Sequence, residues 1–215
     1  MGYAPYLDSV KDLWGDKVVE RSAMRKEVDR CRDALDRARR GEDVALLCSG
    51  DAGVYGMAGL VLELAHGSNE APPIEIVPGV TAANAAAASL GAPLMLDYAV
   101  VSLSDLLVPW DRICRRLEDL ARADLPVVLY NPRSKGRATQ IEVARSIFLE
   151  HRPRNTPVAV VTAASTDQEA REISDLDRFL SLEIGMRSVV VVCGSDARIL
   201  GDRLVAPRGY PVGGS

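Results

Sequence analysis

The chain has 215 residues, of which 47% are apolar and 26% charged, and its formal net charge is −4. These are ordinary globular values that exclude disorder and fibrous repeats, and the length allows one large domain or two modest ones. No apolar run reaches the roughly 18 residues that a membrane helix needs, and the acidic balance gives a nucleic-acid partner no electrostatic support. Because residues 1–5 also lack a secretory pattern, we predict a cytoplasmic protein with no membrane and no nucleic-acid partner.

Cysteine and histidine residues show no pattern typical of a metal or redox site. No two cysteines form a CxxC pair, which argues against zinc or a disulfide framework and favours reduced core thiols. His66 and His151 are the only histidines, and both lie in polar surroundings. We therefore expect no metal ion, and a serine–histidine triad is disfavoured.

Helix and strand patterns alternate through the first half of the chain. Apolar residues at steps of three and four predict helices over residues 5–14, 24–40, 53–66 and 81–90. Short apolar runs predict buried strands over residues 44–48 and 74–77. Thr81 is the expected N-cap of the fourth helix, which is rich in alanine.

The pattern starts afresh after Leu96. Predicted strands cover residues 98–103, 126–130, 158–162 and 188–193, and predicted helices cover residues 109–121 and 137–150. Such alternation indicates an α/β protein with parallel or mixed sheets covered by helices. The restart predicts two α/β lobes, residues 1–97 and 98–215.

Three segments place polar or small residues just after a predicted strand, where ligands bind in open α/β sheets. The first reads CSGDAGVYG over residues 48–56, and its Asp51 either contacts a ribose diol or caps a tight turn. The second reads PGVTAAN over residues 78–84, which suits close packing on a flat ligand or simply a capped helix. The third reads LYNPRSK over residues 129–135, and its alternative interpretation is an ordinary loop.

These segments resemble the tetrapyrrole (corrin) methylase family. The resemblance rests on SGDAGVYGMAGLVLEL, IEIVPGVTAANAAAASLGAPL, LYNPRS and VAPRGY, and it runs from Gly2 to about Tyr210. It implies two α/β lobes with S-adenosylmethionine in the cleft between them, S-adenosylhomocysteine as product, and a homodimer. The LYNPRS and PRGY segments favour the members that methylate precorrin-3B at C-17, with ring contraction, in cobalamin biosynthesis.

The resemblance also implies a set of cofactor contacts. The matching positions are Ser49, Gly50, Asp51, Val54, Thr81, Ala82, Asn131, Ala163 and Ser188. Two departures affect them, because Ala52 stands where the family generally has proline and residues 161–167 lack the family's usual Asn-Ala sequence.

The implied substrate is an acidic tetrapyrrole, a polycarboxylate that arginine recognises well. We expect Arg25, Arg133, Lys135 and Arg137 to form part of a basic rim for its acid side chains, the alternative being solvated surface charge. Methyl transfer is an in-line displacement that needs alignment of donor and acceptor rather than a metal. Ring contraction calls for proton movement, but no residue stands out as the acid or base.

The start of the chain departs from the family pattern, which opens with a buried strand and a G-x-G-P-G loop. Neither element is recognisable here, so we expect an N-terminally truncated first lobe. Two alternative functions follow, an inactive fragment or subunit of such an enzyme and a sister corrin methylase with another target carbon.

Overall fold

The computed structural model describes residues 1–66, 70–134 and 136–211. It divides the chain into two compact units, Met1–Thr81 and Ala82–Ser215, called here unit 1 and unit 2. The division lies earlier than the pattern restart after residue 97, because the helix that follows Thr81 packs its alanine face on the sheet of unit 2. No helix in the described part of the chain is long and apolar enough to cross a membrane.

Unit 1 is mainly helical. Its elements are β1 (Gly2–Tyr3), α1 (Ala4–Asp8), a 3-10 helix (Lys11–Leu13), β2 (Arg21–Ser22), α2 (Glu27–Arg39) and α3 (Ala58–His66). The two short strands pair in parallel. The buried apolar residues are Leu7, Cys31, Ala34, Leu35, Met57 and Ala65.

Two predicted strands of unit 1 are wrong. In residues 44–48 only Leu47 is paired, through a single bridge to Gly2, and residues 71–80 contain neither helix nor strand. An apolar run becomes a strand only where a neighbour supplies a hydrogen-bonded ladder. Among the described residues of unit 1, Met1 and Gly2 supply only a short one, at Ala45 and Leu47. Ile76 and Val77 consequently stay 45% and 70% exposed.

The predicted helix over residues 53–66 begins later, at Ala58. Residues 51–57 instead form a turn in which Tyr55 has φ +54°. The predicted helix over residues 5–14 is divided into α1 and the 3-10 helix. The prediction for residues 24–40 is confirmed, with α2 starting slightly later.

Unit 2 is an α/β unit. Its helices are α4 (Ala82–Leu90), α5 (Trp110–Arg122), α6 (Gln140–His151) and a 3-10 helix (Phe179–Ser181). Its strands are β3 (Gly91–Ala92), β4 (Ala99–Ser102), β5 (Val127–Tyr130), β6 (Pro157–Thr162), β7 (Ala170–Asp175), β8 (Ser188–Val192), β9 (Arg198–Leu200) and β10 (Arg203–Val205). All predicted helices and strands in this part of the chain are confirmed, whereas β3, β7, β9 and β10 were not predicted.

Five strands form a mixed sheet in the order β4-β5-β8-β6-β7. Strand β4 runs parallel to β5, while β8 is antiparallel to both β5 and β6. Alternate valines of the buried strands face two cores, one against α5 and α6 and the other against α4 and β10. This two-sided burial explains the near-continuous apolar sequence of β5, β6 and β8.

Candidate cofactor site

Asp51 joins two of the predicted ligand-binding segments within unit 1. Its Oδ1 accepts hydrogen bonds from the backbone N–H groups of Gly53 (2.8 Å) and Val54 (3.1 Å). Its Oδ2 accepts from the N–H of Gly79 (2.9 Å). The Gly79 N–H, followed by that of Gly53, stabilises the carboxylate and lowers the pKa of Asp51. These bonds give Asp51 a structural role in a tight turn, and its contact with a ribose diol stays a prediction.

The same two segments approach each other so closely that glycine is required. A Cβ atom added to Gly79 would lie 2.1 Å from the carbonyl oxygen of Gly50. Gly50 itself has φ +70°. The structure thus brings Ser49, Gly50 and Asp51 beside the segment that leads to Thr81, and it leaves backbone rather than bulky side chains at this point.

In unit 2, three of the predicted cofactor contacts lie at one edge of the five-stranded sheet. Asn131 directly follows β5, Ala163 directly follows β6, and Ser188 begins the antiparallel strand β8. Ser188 pairs with Thr162, and the β5–β8 register continues from Leu129–Val190 towards Asn131. Sheet topology alone therefore collects residues that are far apart in sequence.

Asn131 is held in a left-handed conformation, with φ +50°. Its side-chain amide donates to Ser102 Oγ (2.9 Å), at the end of β4. Arg137 donates to the carbonyl oxygen of Asn131 (3.0 Å) and to Ser104 Oγ (3.3 Å). Ser102 and Ser104 were not among the predicted site residues, although their place at the end of a predicted strand was a usable signal.

The loop after β6 is similarly constrained. Ala163 has φ +52°, and its N–H donates to the carbonyl of Arg187 (2.9 Å). Ser188 is 3% exposed, and its hydroxyl bonds Thr162 Oγ1 (2.7 Å) and accepts from the N–H of Gly185 (3.0 Å). Non-glycine residues held at positive φ often mark functional sites, because the surrounding structure must overcome their cost.

Helix α4 begins at Ala82, as the PGVTAA segment predicted. The N–H of Ala83 donates to the hydroxyl of Tyr130 (2.7 Å), so a side chain at the end of β5 satisfies the helix start. Tyr130 therefore links the helix that begins at Ala82 to the strand that Asn131 follows.

The predicted substrate residues differ in their surroundings. Arg25, in unit 1, is exposed and has φ +63°. Arg133, in unit 2, lies 3.9 Å from Glu142, and its buried Nε has no hydrogen-bond partner among the described residues. Arg137 already bonds Asn131 and Ser104, whereas Lys135 lies outside the described residues.

A family model described as Tetrapyrrole (Corrin/Porphyrin) Methylases matches residues 2–179. The chain belongs to the tetrapyrrole methylase family. The predicted family is therefore confirmed, and the turns described above belong to the segments on which the prediction rested.

Relatives within this methylase family carry related names. The chain is 40% identical over 98% of its length to a probable cobalt-factor III C(17)-methyltransferase of Salmonella typhimurium, of which it covers 87%. It is 37% identical over 97% of its length to a precorrin-3B C(17)-methyltransferase of a Sinorhizobium species, of which it covers 85%. It is also 40% identical to a cobalt-factor III methyltransferase of Priestia megaterium, but it spans only 40% of that protein.

Solved methylase structures share the fold. The crystal structure of the methyltransferase CobJ matches with a TM-score of 0.89 and 33% identity, over 96% of this chain and 87% of that one. A uroporphyrin-III C-methyltransferase of Thermus thermophilus, complexed with S-adenyl homocysteine, matches with a TM-score of 0.59 and 25% identity, over 82% of this chain and 78% of that one. The predicted α/β methylase fold with mixed sheets is confirmed.

One cluster of potential metal ligands lies on the surface of unit 2 of this methylase. Glu118, Glu150 and His151 bring ligand atoms within 4.8 Å of one another. His151 and Arg122 both bond Glu118 Oε1 at 2.9 Å, and these bonds, His151 first, lower the pKa of Glu118. The arrangement is that of a surface ion-pair cluster, and the predicted absence of a metal stays a prediction.

Proposed function

We propose that the chain is an S-adenosylmethionine-dependent C-methyltransferase of cobalamin biosynthesis that methylates a corrin precursor at C-17, with ring contraction. The observation that carries this proposal is 40% identity to the Salmonella C(17)-methyltransferase over nearly the whole chain and most of the relative. Precorrin-3B and cobalt-factor III are the two substrates that the relatives' names support. We further propose a cytoplasmic homodimer.

Within unit 1, we propose that the backbone around Ser49, Gly50, Asp51, Val54 and Thr81 contacts the cofactor. Two observations support the fit of the cofactor to this backbone. Gly50 and Gly79 approach so closely that a Cβ atom on Gly79 would clash with the Gly50 carbonyl oxygen, and the Asp51 hydrogen bonds hold the turn in place. The Thermus relative bound to S-adenyl homocysteine supports the choice of cofactor.

Within unit 2, we propose contacts from Ala82, Asn131, Ala163 and Ser188. The positive φ angles of Asn131 and Ala163 turn the chain sharply at the end of a strand, which suits backbone contacts to a ligand. Since the hydroxyl of Ser188 is engaged with Thr162 and Gly185, its contact would be made through the surrounding backbone or a shared hydroxyl bond.

S-adenosylmethionine, when bound, would supply an electrophilic methyl group for in-line displacement by a substrate carbon, with S-adenosylhomocysteine as the leaving group. The protein's own contribution is to hold both reactants in line and exclude water, and such alignment supplies about 7–11 kcal/mol. Proton movement during ring contraction also requires an acid or base, to which we attach no residue.

Arg133 is the strongest of the proposed substrate residues Arg25, Arg133, Lys135 and Arg137. Its Nε is buried without a partner among residues 1–66, 70–134 and 136–211, and Glu142 lies at the long distance of 3.9 Å. Because the Arg133 side chain is 31% exposed, a carboxylate of an acidic tetrapyrrole would pair with the accessible part of this guanidinium. We expect Arg133→Ala to raise KM for the tetrapyrrole by about tenfold, the value of a charged hydrogen bond, with the affinity for S-adenosylhomocysteine unchanged.

The test combines calorimetric titration with S-adenosylhomocysteine and turnover assays with precorrin-3B, cobalt-factor III and other corrin precursors. Cofactor binding together with methylation at C-17 supports the proposal, and Arg115→Ala, on the exposed side of α5, is the charge-matched control for Arg133→Ala. Methylation at another carbon would make the chain a sister corrin methylase. Binding without turnover would favour a fragment or subunit, and unchanged KM in Arg133→Ala would remove that residue from the rim.

A further inference from the structure

Arg30 is a buried cation whose partners are all uncharged. It lies on α2 in unit 1 and is 6% exposed. Its Nη2 donates to the carbonyl of Ala23 (2.8 Å), its Nη1 donates to Met57 Sδ (3.3 Å), and its Nε donates to Ser22 Oγ. It forms no ion pair with any carboxylate in the described part of the chain. A buried charge without a counter-ion is costly, so the three hydrogen bonds that Arg30 makes must offset that cost.

Met57 connects Arg30 to the turn that carries the proposed cofactor contacts of unit 1. Its side chain, 8% exposed, accepts the Arg30 bond, and its own N–H donates to Cys48 Sγ (3.4 Å). Cys48 and Met57 stand at the two ends of the turn, which contains Ser49, Gly50, Asp51 and Val54. The Asp51–Gly79 bond holds the middle of the turn, and the Arg30–Met57 contact holds its end.

The cavity beside Arg30 does not favour an anionic ligand. It has a volume of about 250 Å³, and three carboxylates line it together with three cations. The charged lining residues are Glu20, Asp29, Asp33, Arg21, Lys26 and Arg30. Because the side-chain charges balance, the guanidinium is better explained by the contacts that it makes to the chain.

We propose that Arg30 is a positioning residue for the cofactor turn. Through Met57 it fixes residues 48–57, and through Ala23 it ties that turn to the segment that carries Arg25, one of the proposed substrate residues. This inference rests on the proposed function for its meaning, but the geometry of the turn can be tested without any ligand.

The test compares Arg30→Met and Met57→Leu with the control Arg37→Met. Arg37 lies on the same helix and makes ion pairs with Glu20, Glu42 and Asp33, none of which belongs to the turn. Hydrogen exchange detected by NMR at the Gly53, Val54 and Gly79 amides reports the turn, with α2 amides as a reference for global unfolding. Calorimetry with S-adenosylhomocysteine reports binding by the folded protein.

Since binding groups must be held within about 0.5 Å, we expect Arg30→Met to raise the Kd for S-adenosylhomocysteine about tenfold and to speed exchange of the three amides that bond Asp51. Met57→Leu, which conserves side-chain volume, should change the Kd and the exchange rates in the same direction. The double variant should change them no more than Arg30→Met does. Arg37→Met should lower Tm without either effect.

Several results would overturn the positioning role. One is amide exchange in both Arg30→Met and Met57→Leu that is as slow as in the wild type. Another is a Kd for S-adenosylhomocysteine that is the same in Arg30→Met as in the wild type, provided that the wild type binds. Acetate that raises the Tm of the wild type but not of Arg30→Met would instead make Arg30 an anion-binding residue. If the wild type itself fails to bind S-adenosylhomocysteine, the proposed function is in error, and the exchange measurements still decide the role of Arg30.

Discussion

Units 1 and 2 hold their candidate site residues in different ways. In unit 2, register places Asn131, Ala163 and Ser188 at one edge of a five-stranded sheet. In unit 1 the described residues contain only two strands of two residues each, and side-chain contacts from Asp51 and Arg30 hold the corresponding turn. A site held by ladders tolerates the loss of any one side chain, whereas a site held by single side chains does not.

The two units also differ in whether their apolar segments are buried. Strands β5, β6 and β8 are buried along almost their full length, because each lies between neighbours in the sheet. Val77 and Val80 of unit 1, which belong to no strand, are 70% and 68% exposed. The same residue type is therefore core or surface according to whether a hydrogen-bonded partner exists.

The largest expected effect comes from breaking the core of unit 2. Phe148 on α6 is fully buried, and Phe148→Ala should lower the free energy of unfolding by about 3–5 kcal/mol through lost burial and a residual cavity. Urea denaturation followed by Trp110 fluorescence in a Trp14→Phe background measures this unit, because Trp110 packs against the same core.

Val143→Ala is the matched control on α6. Val143 is 38% exposed, so we expect this substitution to lower the free energy of unfolding by less than about 1 kcal/mol. Equal effects of the two substitutions would mean that α6 does not carry the core of unit 2 as its contacts indicate.

The sequence predicted strands correctly where an apolar run also has neighbouring strands to pair with. The valine runs of β5, β6 and β8 predicted strands correctly. Asn131, Ala163 and Ser188, which lie at the ends of those strands, were implied as cofactor contacts by the family resemblance. Strand prediction failed for residues 44–48 and 74–77, because a pattern describes a strand's own faces and says nothing about its partner.

The sequence also did not predict the side-chain contacts of unit 1. Asp51 bonds Gly79, a residue 28 positions away, and no periodicity links the two. Arg30 stands among charged residues of α2, so its burial depends on the Ala23 and Met57 contacts rather than on its own polarity. The family resemblance identified the turns, but it contained no account of what holds them.

A smaller effect is expected from separating the two segments of unit 1 at Gly79. The added Cβ of Gly79→Ala would lie 2.1 Å from the carbonyl oxygen of Gly50, so the backbones must move apart. We expect a loss of about 1–3 kcal/mol in unfolding free energy, as in other overpacked sites. Urea denaturation followed by Trp14 fluorescence, in a Trp110→Phe background, measures it.

Gly59→Ala serves as its control within the same unit. Gly59 lies inside α3, and an added Cβ there meets no heavy atom within 4 Å. That substitution should stabilise the unit by about 0.4–1 kcal/mol, because it reduces the entropy of the unfolded chain. A Gly79→Ala variant as stable as wild type would show that the Gly50–Gly79 approach can relax freely.

The smallest expected effect concerns the bond that joins α4 to β5 in unit 2. Tyr130→Phe removes the hydroxyl that accepts from the Ala83 N–H (2.7 Å) and leaves a half-buried donor at the helix start. We expect the free energy of unfolding to fall by about 0.5–1.5 kcal/mol, as measured by urea denaturation followed by Trp110 fluorescence. Tyr98→Phe, which removes an exposed bond to Asn84, should cost less than this. If Tyr130→Phe has no effect while hydrogen exchange at Ala83 also stays slow, the sheet alone holds α4, and unit 2 is even less dependent on single side chains than its register implies.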